Sequence, residues 1–223
     1  FGFTFGQEVV LFGPISDESL DMGIEATGLL FAAPGIGGIL ATAAAARLAA
    51  RSHTAAILTL ATLVAGIPLT TLSFVHSPVA AYALLTIEGA AVIIADVVST
   101  TTLQRVVPRD NIGSVFGILG ALAVTAIALG SVVAPISIAV IGLSGATALA
   151  GGVLLVVTVI TLPRARAMDR IAAAKVAELA PAVTLLEQLG LFEAASPAQL
   201  EALAAVSTRE TVPAGTVVVR EGA

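Results

Sequence analysis

The stretch NIGSVFGILGALAVTAIALGSVVAPISIAVIGLSGATALAGGVLLVVTVITLP, Asn111 to Pro163, contains no charged residue. About 20 apolar helical residues cross the roughly 30 Å hydrocarbon core of a bilayer. This run is far longer, so it crosses more than once, and GLSG, Gly142 to Gly145, divides it into two helices. A soluble bundle would need polar outer faces at helical period, whereas these residues are apolar all round. The stretch therefore points to a polytopic membrane protein.

The flanking sequence has the same character. Going back along the chain, spans are expected at Pro78 to Leu103, which carries Glu88 and Asp96, at Thr54 to Val75, and at Ala26 to Leu48. Phe1 to Ile15 is a shorter apolar segment, expected to be a span lacking its first turns. The expected fold class is all-α, with six transmembrane helices. Only 11% of the chain is charged and 57% is hydrophobic, against about 25% charged in ordinary soluble domains. No basic n-region precedes the first apolar segment, so it does not read as a signal peptide. There is no cysteine, and His53 and His76 stand apart. Disulfides, thiolate metal sites and a histidine metal cluster are therefore not expected. Neither Gly-x-Ser-x-Gly nor a P-loop occurs, so no enzyme activity, catalytic residue or resident cofactor is expected.

Arginine placement sets the orientation, because short cytoplasmic loops carry the excess of Lys and Arg. Arg47 and Arg51, Arg105 and Arg109, and Arg164, Arg166 and Arg170 fall in alternate connections. The intervening connections hold only acids (Asp17, Glu18, Asp21) or no charge (His76–Ser77, Gly142 to Gly145). The arginine loops and the C-terminal segment are thus expected in the cytoplasm.

Two stretches carry a family resemblance. LLFAAPGIGGILATAAAARLAAR, Leu29 to Arg51, resembles the eighth helix of a Major Facilitator Superfamily transporter, with its Pro-Gly-rich middle and basic end. LQRVVPRDNIGSVFGI, Leu103 to Ile118, resembles the loop between helices ten and eleven in the drug- and siderophore-exporter branches. Ser114 stands where that pattern often has a further arginine. The resemblance covers Phe1 to Pro163 and implies helices seven to twelve, with the first half of the transporter as a missing partner. It also implies a small-molecule substrate, a bacterial inner-membrane location and a central cavity lined by helices seven, eight, ten and eleven. No nucleic acid partner is implied.

The membrane-depth carboxylates fit that frame: Glu8 falls on helix seven, and Glu88 and Asp96 on helix ten. Burying an ionisable group in a bilayer costs at least about 2.5–3.5 kcal/mol on insertion scales, so such groups face a cavity or a partner. Glu88, near the middle of its span, suits a proton carrier that changes state as the cavity switches sides, and Glu8 is a second candidate. A structural hydrogen bond to a neighbouring helix is the competing role for Glu88. Asp96 lies nearer the cytoplasmic end, where Arg105 or Arg109 could pair with it as part of a gate. The glycines of GSVFG, with Gly120, and of APGIGG, Ala33 to Gly38, are expected to let helices pack closely or bend.

After Pro163 the composition changes. Residues 164–184 mix charge with alanine and read as a juxtamembrane linker helix beside the bilayer surface. From Leu185 the pattern is soluble. Ser196, Pro197 and Gln199 form a capping-box start to a helix presenting Leu200, Leu203 and Val206 on one side, and Thr216 to Arg220 is strand-like. This order resembles the N-terminal entry of a cyclic nucleotide-binding domain: Leu191–Phe192, then Leu200 to Ala204, then Arg220 to Gly222. The resemblance implies a cytoplasmic β-roll beginning in 185–223, with cyclic nucleotide as its ligand and the phosphate-binding residues beyond Ala223. The function expected from the whole is a proton-coupled exporter of small organic molecules with a nucleotide-responsive domain. A transport-inactive receptor or scaffold tethering that domain is the alternative. A nucleotide-gated channel would show a filter loop and an Arg-rich sensor, and the sequence has neither.

Overall fold

The computed structural model describes residues 1–49, 54–188 and 197–207. The helices are α1 (Gly2–Pro14), α2 (Thr27–Ala49), α3 (Thr54–Leu72), α4 (Pro78–Val106), α5 (Ile112–Glu187) and α6 (Pro197–Val206), and no strand occurs among the described residues. Phe1–Asp169 forms one compact unit and Arg170–Ala223 another.

Ile24–Ala49, Thr54–Leu72, Pro78–Gln104 and Ile112–Ala167 are apolar and long enough to cross a bilayer. The last has 56 residues, on the order of 84 Å at about 1.5 Å per residue, too long for one crossing. It is broken at Gly142, whose φ of 74° and ψ of 171° are non-helical and lie in a region that is essentially glycine's alone. The expected division is thus present, but as one residue rather than a four-residue turn. α1 is shorter, at 13 residues, and runs into a π-helical turn, Ile15–Ser19.

Proline explains several ends. Pro78 opens α4 at its first turn, after an extended Ser77. Val107, extended and followed by Pro108, closes it. α5 runs through Pro163 to Glu187 without a break in the helix, and the apolar span within it ends at Ala167. Pro163 removes a single hydrogen bond, and the alanines and arginines that follow are good helix formers. In α6, Leu200 and Ala204 are buried whereas Leu203 and Val206 are 39% and 79% exposed. The inward stripe is therefore an i, i+4 pair rather than the expected Leu200, Leu203 and Val206. α6 begins at Pro197 as expected. Ser196, Leu191, Phe192, the strand at Thr216 to Arg220 and Arg220 to Gly222 lie outside the described residues.

Inside the first unit, close helix approaches are made by glycine. A Cβ on Gly6 would strike the Ile127 carbonyl, and one on Gly130 the Phe3 carbonyl, so α1 and α5 cross backbone to backbone. Ser131 Oγ spans that crossing, donating to the Gly6 carbonyl at 3.0 Å. Gly37 meets the Thr86 carbonyl and Gly89 meets Pro34, joining α2 to α4, and Gly151 meets Thr70, joining α5 to α3. In a bilayer, helix association depends on this kind of packing rather than on a hydrophobic drive. The APGIGG glycines at 37 and 38 therefore pack as expected. Around Gly113, Gly117 and Gly120 the described residues leave open space, with nothing within 4 Å of a Cβ built on any of them. Leu11, Phe12, Leu30, Leu69 and Leu85 centre the core, while Ile39, Leu40, Val79 and Val140 lie outside it, each more than 70% exposed. Near the acidic connection, Ser16 Oγ donates to the Gly23 carbonyl at 2.7 Å, and the Tyr82 hydroxyl to Met22 Sδ at 4.0 Å.

Candidate functional site

α1, α2 and α4 line an open-sided cavity of about 490 Å³, within the 300–1,000 Å³ typical of small-molecule sites. Glu8 reaches it from α1 and Glu88 from α4, with Phe5, Phe12, Phe31 and Thr42 also on the wall. The helices come together here because Pro34, Gly37 and Gly38 on α2 face Thr86, Gly89 and Ile93 on α4 with almost no side chain between them. Gly89 follows Glu88 directly, so the contact that brings the backbones together also fixes where the Glu88 side chain leaves its helix.

Both carboxyls are buried, with 5% of Glu8 and 4% of Glu88 exposed. They lie within Coulombic range of each other. Neither makes a hydrogen bond or an ion pair with a side chain among the described residues, so no described residue supplies the structural hydrogen bond considered for Glu88. Among the described residues no Lys, Arg or His lines the cavity, and the one hydroxyl on its wall, that of Thr42, donates to the Gly38 carbonyl at 2.9 Å. Phe12 and Phe31 meet between α1 and α2 in a tilted contact, with ring centroids 4.9 Å apart and planes inclined by 54°.

Glu8 and Glu88 are thus brought together. Asp96 stands apart, exposed on α4, and the side chains of Arg105 and Arg109 lie outside the described set, as does any pairing they make. Two further polar residues accompany Glu8 on α1: Thr4 and Gln7 are buried, and Thr4 Oγ1 and both side-chain polar atoms of Gln7 have no hydrogen-bond partner. Sequence reasoning passed over them because it weighed charges alone. The signal was a Gln-Glu pair inside FGFTFGQEVVLF, an otherwise almost wholly apolar run. No group of three His, Cys, Asp or Glu suited to a metal occurs among the described residues.

A family model described as Major Facilitator Superfamily matches residues 2–209. No curated protein and no solved structure matches the chain.

Proposed function

Since the chain belongs to the Major Facilitator Superfamily of secondary transporters, we propose that it drives export of small organic molecules with protons carried by Glu88, assisted by Glu8. The observation that supports this reading most is the meeting of two buried, unpartnered carboxyls across one cavity. A carboxylate out of water without a partner is costly. Each group is therefore tolerated when it holds a proton, when a cation stands against it, or when water reaches it. A cavity that opens alternately to either side supplies those conditions in turn. On this reading α1 to α5 are helices seven to twelve of a twelve-helix transporter in a bacterial inner membrane, Asp96 with Arg105 or Arg109 belongs to the cytoplasmic gate, and the C-terminus is cytoplasmic.

The test is made on the complete protein in proteoliposomes. Glu88→Gln is expected to lower flux driven by a pH gradient at least tenfold while substrate exchange without a gradient persists. Gradient-driven flux within twofold of the parent sinks the assignment.

The same reading includes a nucleotide-responsive domain beginning in 185–223, after a linker at 164–184. Its support is the order of sequence features from Leu185 to Gly222 and the start of α6 at Pro197. The family match runs on to residue 209, so the boundary at 184 rests on the change in composition. Cyclic AMP on the cytoplasmic face is expected to change the transport rate, and a rate unmoved by millimolar nucleotide removes this part.

A further inference from the structure

We propose that the cavity between α1, α2 and α4 recognises organic cations bearing apolar or aromatic groups and rejects anions of the same shape. This deepens the transporter reading and rests on it for the word substrate, but the binding chemistry is argued from the wall itself. The polar groups available there are two carboxyls, each more than nine-tenths buried, unpartnered and facing the cavity. No basic side chain among the described residues lines it, and the Thr42 proton is already given to the Gly38 carbonyl. An anionic ligand would therefore find no cationic partner, and no donor unless a carboxyl itself held the proton. A cation finds two acceptors that lack partners.

The apolar part of the wall selects in the same direction. Phe5, Phe12 and Phe31 border the cavity with the carboxyls, and Phe5 and Phe31 are 50% and 38% exposed, so ring surface is open to a ligand. Aromatic faces attract cations through the ring quadrupole, and more strongly in a site from which water is excluded. They also stack on aromatic substituents. A small hydrated metal ion gains little from that surface, whereas a cation whose charge is wrapped in hydrocarbon uses both features. The volume of about 490 Å³ suits a ligand of that size rather than a bare ion.

The probe pair is tetraphenylphosphonium and tetraphenylborate, which share shape and apolar area and differ in the sign of the charge. Saturable binding of each is measured by equilibrium dialysis on the complete protein in detergent, with protein-free micelles subtracted. The phosphonium is expected to bind saturably, and tetraphenylborate to show no saturable component. Glu8→Gln and Glu88→Gln are each expected to weaken the phosphonium at least tenfold, with elution volume and helicity confirming that the variants are folded. Equal or tighter saturable binding of the borate overturns the proposal in the parent protein alone, without reliance on a variant. So does the absence of saturable phosphonium binding, or an affinity within twofold of the parent in both folded variants. The two readings fail separately. Phosphonium binding that needs the carboxyls, alongside gradient-driven flux that survives Glu88→Gln, would leave the site and remove the proton carrier. The opposite pair of results would leave the carrier and remove the site.

Discussion

Among the residues, glycine gives the sharpest contrast, because one substitution meets opposite surroundings at two positions. A methyl group on Gly37 would enter the Thr86 carbonyl, whereas on Gly117 it meets nothing within 4 Å. Overpacking typically costs about 1–3 kcal/mol, while replacing an unhindered helical glycine by alanine returns up to about 1 kcal/mol of helix propensity. Gly37→Ala is therefore expected to lower the melting midpoint in detergent, and Gly117→Ala to leave it unchanged or raise it. Equal shifts at the two positions would show that the α2–α4 crossing is not as tight as its geometry requires. The crossing lies beside Glu88, so Gly37→Ala is also expected to disturb the cavity. Glu8 and Glu88 were legible as candidates because a charge inside an apolar span stands out. Their convergence was not legible, since it depends on how α1 and α4 pack about α2. Gln7 escaped notice because an uncharged amide leaves hydropathy almost unmarked.

At the level of elements, Gly142 separates backbone strain from crowding. It has open space around its Cα but a φ of 74° and a ψ of 171°. A side chain there is unfavourable for backbone reasons alone, by about 1–3 kcal/mol. Gly142→Ala is expected to destabilise the protein by that amount, as read from its thermal midpoint, although no atom stands in the way of the methyl. A neutral result would mean that the two arms of α5 can join by a different bend. The helices themselves were readable because the bilayer limits how long an apolar helix can run, and GLSG was the place in 111–163 where glycine offered a break. The passage of α5 through Pro163 has a related reason: a proline that would usually stop a helix in a soluble protein does not stop one flanked by strong helix formers, so Pro163 marks a change of composition and no change of backbone. The glycines at 113, 117 and 120 were read as a packing motif from spacing alone, and spacing does not say whether a neighbour is present.

For the whole molecule, the alternation of arginine-bearing and arginine-free connections makes topology testable one site at a time. The chain has no cysteine, so an introduced thiol is the only one in it. Thiols at Ser19, Ser77 and Ser144 are expected to react with an impermeant maleimide added outside intact cells, and a thiol at Ala167 only after the membrane is opened. External reaction at Ala167 would reverse the orientation assigned to every span. The contact between Tyr82 and Met22 Sδ has a use of a different kind. The chain has one tyrosine and no tryptophan, so its ultraviolet emission above the phenylalanine background comes from a single phenol ring, held against a thioether where α4 approaches the acidic connection. Any motion that draws α4 away from that connection frees the hydroxyl and alters the lifetime of the emission. This part of the protein therefore carries its own optical gauge, and no dye is needed to read it.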